Sequence, residues 1–164
     1  MAREYSLNAK SQTVVAAPQM TFLNPPAGGV AGAGAEVIRA WVSQNANATS
    51  AQLGFNMGTK VTAFPTMVGK TPAPLKIVDP ASKFVSGTGA AGTAGINSSA
   101  NGAGAEIDIY PDNFNALNGY LWVATASETL VVMPGGTSGI FTQFVGTPGT
   151  LTGWSWGVIF RELG

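Results

Sequence analysis

The sequence predicts an all-β protein: one antiparallel domain built as a β-sandwich, a jelly roll or a small β-barrel. Three observations carry that prediction. The stretch Trp154-Ser155-Trp156-Gly157-Val158-Ile159-Phe160-Arg161 alternates: Trp154, Trp156, Val158 and Phe160 share one parity, so an extended chain gives them one face. Short runs of apolar and β-branched residues recur between Pro, Gly and Asn turn signals. No stretch reads as a convincing long helix.

Size and charge bound the rest. The 164 residues fit a single domain, residues 1–164, long enough to bury a core. Eight basic and eight acidic residues cancel, so neither nucleic acid nor an anionic membrane finds a basic footprint. The charged fraction is 10 %, against about 25 % in ordinary soluble domains. Small residues or another protein must therefore cover part of the surface, which points to a multi-subunit setting. The chain has no Cys and no His, which excludes disulfides and thiolate or imidazole sites. No cofactor and no metal is expected. The opening residues lack the apolar core of a secretory signal, and no apolar run approaches the length of a membrane helix.

Glu4 to Val15 reads as the first strand, with Tyr5 and Leu7 on one parity and a break near Lys10-Ser11. Residues 1–10 are also expected to act as an N-terminal arm that orders on a partner. Gln19 to Leu23 is a short strand stopped by Asn24-Pro25-Pro26. Residues 27–35, rich in Gly and Ala, read as a loop. Glu36 to Gln44 fits either period, and the flanking loop and turn favour a strand over a helix. After a turn at 45–49, Ser50 to Met57 is the return strand, with a further short extension at Val61 to Phe64. Pro65, Pro72 and Pro74 break the next stretch, and Leu75 to Pro80 offers a small edge segment.

Residues 87–104 form a long Gly/Ala/Ser-rich stretch with one large apolar residue, Ile96. It reads as a loop, either mobile at the surface or in contact with another subunit. Beyond it, Glu106, Asp108 and Tyr110 alternate with Ile107 and Ile109, so a strand with an apolar and a polar face is expected. Tyr120 to Ala124, Thr129 to Met133 and Ile140 to Val145 are further strands. The turn Thr147-Pro148-Gly149-Thr150 precedes the closing one.

Candidate chemistry is sparse. Nucleophilic triads lack their His or Cys. The pair Glu106 and Asp108 could in principle serve as glycosidase carboxylates or, with Asp112, as a weak cation site, but a solvated polar face accounts for them. No Gly-rich segment has the phosphate-loop pattern. Trp41, Trp122, Trp154 and Trp156 would make a sugar-stacking platform only if exposed, and core packing is the ordinary fate of such residues. Two glycosylation sequons, at Asn47 and Asn97, are short patterns with no export signal before them.

Several segments together carry a resemblance: Met1-Ala2-Arg3-Glu4-Tyr5-Ser6; Glu36-Val37-Ile38-Arg39-Ala40-Trp41-Val42 with a polar turn after it; Thr71-Pro72-Ala73-Pro74-Leu75 followed by Asp79-Pro80-Ala81-Ser82; Gly119-Tyr120-Leu121-Trp122; Pro134-Gly135-Gly136; and Gly157 to Gly164. In order and spacing the chain resembles small β-rich structural proteins of tailed bacteriophages and prophages. The resemblance implies a non-enzymatic virion protein, a capsid decoration (cement) protein in the favoured reading. Such a protein would be made in the host cytoplasm and would sit on the capsid surface. Its partners would be the major capsid protein and copies of itself, with a trimer among the expected forms. The alternative is a carbohydrate- or receptor-binding β-domain of a tail or fibre component. Partner contacts are expected from the arm, at Ala2, Arg3, Glu4 and Tyr5. The long loop is expected to supply the others, at Gly87, Gly89, Gly92, Ile96, Asn97 and Asn101.

Overall fold

The computed structural model describes residues 3–15, 18–27, 33–46, 50–135 and 137–164. In chain order the strands are β1 (Arg3–Gln12), β2 (Gln19–Asn24), β3 (Gly34–Gln44), β4 (Gln52–Val61), β5 (Thr66–Gly69), β6 (Ala73–Pro74), β7 (Val85–Ser86), β8 (Thr93–Ala100), β9 (Ala105–Asn115), β10 (Tyr120–Val123), β11 (Leu130–Val132), β12 (Ser138–Val145) and β13 (Trp154–Leu163). They form two sheets packed as a β-sandwich, without closing into a barrel. The first sheet runs β10-β3-β13-β1-β6, with β11 beside β10 on the outer edge of β3. The second runs β5-β8-β2-β12-β4-β9. All pairings are antiparallel except the two-residue strand β7, which joins β8 in parallel.

The alternating closing stretch fills the space between the sheets. β13 pairs with β1 on one side and β3 on the other, so its inward row cannot reach water. Trp154, Trp156, Val158 and Phe160 are all fully buried. Trp154 meets Phe144 and Phe114 edge-on at 4.7 and 6.4 Å between ring centroids. Phe160 stacks on Tyr5 and takes Phe84 on its edge. Trp156 crosses the core and donates its indole N–H to the Met20 carbonyl of β2 at 2.6 Å, tying the two sheets together with one bond. Buried polar groups are paired in the same way: the hydroxyls of Thr21 and Thr142 share a 2.7 Å hydrogen bond.

A smaller apolar cluster lies on the far side of the second sheet, where Phe22, Phe141 and Met67 are covered by Phe64. A glycine makes room for it: a Cβ on Gly139 would sit 2.3 Å from the Phe22 ring. The cover is the turn at Thr62 and Ala63, both of which have positive φ. Lys60, almost fully buried, pins the next loop by donating to the carbonyls of Gly102 and Gly104 at 3.3 and 3.0 Å and to Glu106 at 2.8 Å.

Three expectations are corrected. Of the expected arm at residues 1–10, the described part, residues 3–10, is not free: β1 lies between β13 and β6, and Tyr5 belongs to the core. Residues 87–104 are not one loop. β8 occupies their middle, paired to β2 and β5, with Ala94, Ile96 and Ser98 buried. Small residues suit that strand because its outward face is crowded: a Cβ on Gly95 would lie 2.4 Å from the Met67 Cβ. On β9 the faces differ from the expected pattern. Ile107 and Ile109 are exposed, while the Glu106 carboxylate accepts from Lys60, Gln19 and Gln143, and Asp108 accepts from Asn56. Both acids are exposed, as a solvated polar face requires, and bonds to neighbouring strands also hold them. The turn at 45–49 and the loop at 27–35 lie partly outside the described residues, as does the sequon at Asn47.

Two measurements check this packing. Trp156→Phe removes the indole N–H, strands the Met20 carbonyl and leaves a void in place of the second ring, and should cost about 3 kcal/mol in urea unfolding. Burial and the neighbouring Asp112 carboxylate push the Tyr120 phenol up to about 12. The folded form therefore holds its proton where the unfolded form, near 10, has lost it. The corresponding stability is intact below about pH 10 and disappears as pH rises through about 12. A phenolate absorbance titration should show Tyr120 titrating late, alongside Tyr5, whose phenol burial also pushes up, and Asp112→Asn should bring the Tyr120 midpoint down.

Candidate functional site

A groove of about 590 Å³ lies on the outer face of the first sheet. Its position follows from one irregularity. β3 pairs with β13 in register until Ile38, where an extra residue breaks the ladder between Arg39 and Val37. A bulge bends a strand and re-aims side chains. Here it also splits the strand's other edge: β10 pairs with residues 39–42 and β11 with residues 35–37. The chain between them, Ala124 to Thr129, leaves the sheet and forms one wall, anchored by the Ala124 amide on the Ile38 carbonyl at 3.0 Å.

The floor combines apolar and charged groups. Ile38, Val123 and Ile159 give it an apolar strip, and Leu75 stands at the opposite rim. Pairing sets Glu4, Arg161 and Glu36 in one row across β1, β13 and β3. Arg161 donates to Glu36 at 2.8 Å and to Glu4 at 3.1 Å. The bond to Glu4 first holds the Arg161 pKa above its ordinary value; burial opposes it, and the bond to Glu36 and the charges of both carboxylates outweigh that opposition. Arg39 also lines the groove, is exposed, and makes no ion pair among the described residues. The groove thus offers one uncommitted cation, an apolar strip and a triad of one arginine and two carboxylates with one negative charge in excess.

Around it the sheet surface is unusually apolar. Leu121 is 62 % exposed and Met133 is 65 % exposed, and Val123 and Val131 are open as well. Beside the rim, beyond β6, the chain makes a β-turn closed by the Asp79 amide on the Lys76 carbonyl at 3.0 Å. Its two central residues are Ile77, 99 % exposed, and Val78, 85 % exposed.

The expected contact residues are not gathered here. Ala2 lies outside the described residues. Arg3 is exposed at the end of β1 and lines a separate small pocket with Lys83 and Glu162. Only Glu4 reaches the groove, and Tyr5 is in the core. Gly87, Gly89 and Gly92 build the connection into β8. The Gly87 amide bonds the Ala94 carbonyl, the Gly89 carbonyl accepts from Asn24, and the Gly92 amide donates to the Asn24 carbonyl. Ile96 is core. Asn97 donates to the Thr13 carbonyl, and Asn101 accepts from the Gln19 amide and from Ser98. These bonds are spent inside the molecule, and the Asn97 Oδ1 is buried without a hydrogen-bond partner. The groove residues Glu36, Ile38, Arg39, Val123, Ile159 and Arg161 went unnoticed in the sequence. The one signal available was Arg161 standing opposite the aromatic row.

Among the described residues no three His, Cys, Asp or Glu side chains converge as a metal site would need, and no helix is long and apolar enough to cross a membrane. Trp154 and Trp156 are buried, Trp122 stacks on Tyr110 at 5.0 Å, and Trp41 lies over Gly157, where a Cβ would meet its ring at 2.4 Å. The four tryptophans therefore form no common platform. The chain matches no family model, and neither a curated protein nor a solved structure is significantly similar to it.

Arg161→Ala should cost about 1 kcal/mol in chemical unfolding, because all three partners are partly solvated. The loss should shrink in high salt.

Proposed function

We propose that this chain is a non-enzymatic structural protein of a virion, a decoration protein that covers joints between major capsid subunits on the outer face of the shell. The observation that carries the reading is the exposed apolar surface of the first sheet and its adjoining turn: Leu121, Val123, Val131, Met133, Ile77 and Val78. Large open apolar patches mark sites that another protein covers. The sparse charge, eight acidic and eight basic residues in 164, fits a surface made for such contact. The resemblance to phage structural proteins supplies the setting, a capsid surface reached after synthesis in the host cytoplasm. Nucleic acid and membrane are not partners in this reading.

The mechanism is additive stabilisation. A protein that binds only the assembled shell stabilises that state by linkage, and many symmetric copies make a modest single contact sufficient. A carbohydrate- or receptor-binding role on a tail or fibre is the alternative. It is less well supported, since Trp154 and Trp156 are core residues and the aromatic stacking surface it needs is small.

The test uses empty shells of the virus or prophage that encodes the chain. The purified protein should co-sediment with them at saturable occupancy and raise the temperature at which they come apart. Protein that stays in the supernatant at every concentration rules out decoration.

A further inference from the structure

The turn Lys76-Ile77-Val78-Asp79 does not suit a solvent-facing tip. The central positions of such turns ordinarily hold Pro, Asp, Asn, Ser or Gly; here they hold two β-branched apolar residues, 99 % and 85 % exposed. The tip is held from both sides. The Leu75 amide bonds the Glu4 carbonyl at 3.0 Å, and the Tyr5 hydroxyl donates to the Pro80 carbonyl at 3.1 Å. Both anchors lie on β1, an interior strand, so the two side chains are presented on a rigid base. Rigid apolar anchors lose little entropy on docking.

We propose that this turn is a docking knob and that its occupant is the groove of a second copy of this chain. The two surfaces match in chemistry. The knob reads cation, apolar, apolar, anion: Lys76, Ile77, Val78, Asp79. The groove holds the uncommitted cation Arg39, the apolar strip of Ile38, Val123 and Ile159, and the carboxylates of Glu4 and Glu36. Seating Ile77 and Val78 on the strip lets Asp79 meet Arg39 and Lys76 meet the carboxylates. The groove's 590 Å³ admits two aliphatic side chains. Because Leu75 belongs both to the base of the knob and to the groove rim, the two surfaces adjoin on each copy. Adjoining complementary surfaces can be exchanged reciprocally about a symmetry axis, which closes the assembly. The knob supplies the desolvated centre and the ion pairs its rim, the usual anatomy of a stable contact.

This inference deepens the self-association part of the virion reading and does not need the shell. Light scattering on the full chain should show an oligomer at micromolar concentration. Ile77→Asp combined with Val78→Asp should weaken association on the order of 100-fold or more and give monomer; circular dichroism should be unchanged because both side chains lie outside the core, and the thermal midpoint should lose its dependence on protein concentration. Arg39→Asp and Asp79→Arg should each weaken it by roughly tenfold, and the double variant should restore it. A wild-type monomer, an oligomer indifferent to the knob variants, or a charge swap that fails to restore would each overturn the proposal. Shell binding is read separately. A monomer that still decorates shells overturns this contact and leaves the virion reading standing. An oligomer held by the knob that ignores shells does the opposite.

Discussion

The inward row of β13 is the constraint from which the rest follows. Four large side chains on alternate positions of one strand need a cover about one sheet thick and two strands wide on each side. β1 and β3 give the lateral pairing, and Phe144, Phe114 and Met20 from the second sheet give the cover. With that row in place, the opposite parity of β13 must face outward. Ser155, Gly157, Ile159 and Arg161 then define the middle of the outer surface. Trp41 lies over Gly157 because no side chain stands there, and Glu4 and Glu36 converge on Arg161 because register places them beside it.

A different geometry governs the edges. The extra residue at Ile38 breaks the ladder of β3, and two short strands share its free edge where one long strand would otherwise pair. The gap between them is the groove. A bulge thus turns a regular sheet face into a surface with relief, at the place where apolar side chains are also left open. On the other side of the first sheet, β6 is only two residues long, and the chain leaves it at once into the Ile77–Val78 turn. Relief marks this face, together with the open side chains of Leu121, Val123, Val131 and Met133 beside it. On the far sheet Lys60, Gln19 and Asn56 donate to Glu106 and Asp108, so neighbouring strands hold the acids.

Misreadings of the sequence share a cause. Gly-rich composition suggested a loop at 87–104, yet β8 needs small residues because Met67 presses on its outer face. Alternation on β9 suggested that Ile107 and Ile109 face the core, but an edge strand has neighbours on one side only, and there the acids found partners first. The N-terminal stretch reads both as a first strand, on the alternation of Tyr5 and Leu7, and as an arm that orders on a partner. That alternation is also what an interior strand of a one-side-solvated sheet requires.

By itself the sequence determined the all-β class and the position of most long strands. It also determined the aromatic row of β13 and the absence of thiol and imidazole chemistry. These are local properties: period two, turn residues and composition are visible within a few positions. Tertiary structure decided that the sheets form a sandwich, that Glu4, Arg161 and Glu36 make one row, that Ile38 opens a groove, and that Ile77 and Val78 stand clear of any cover. Each of these depends on the register between strands 78 to 159 positions apart. Register is set by how the core fills and not by any local pattern.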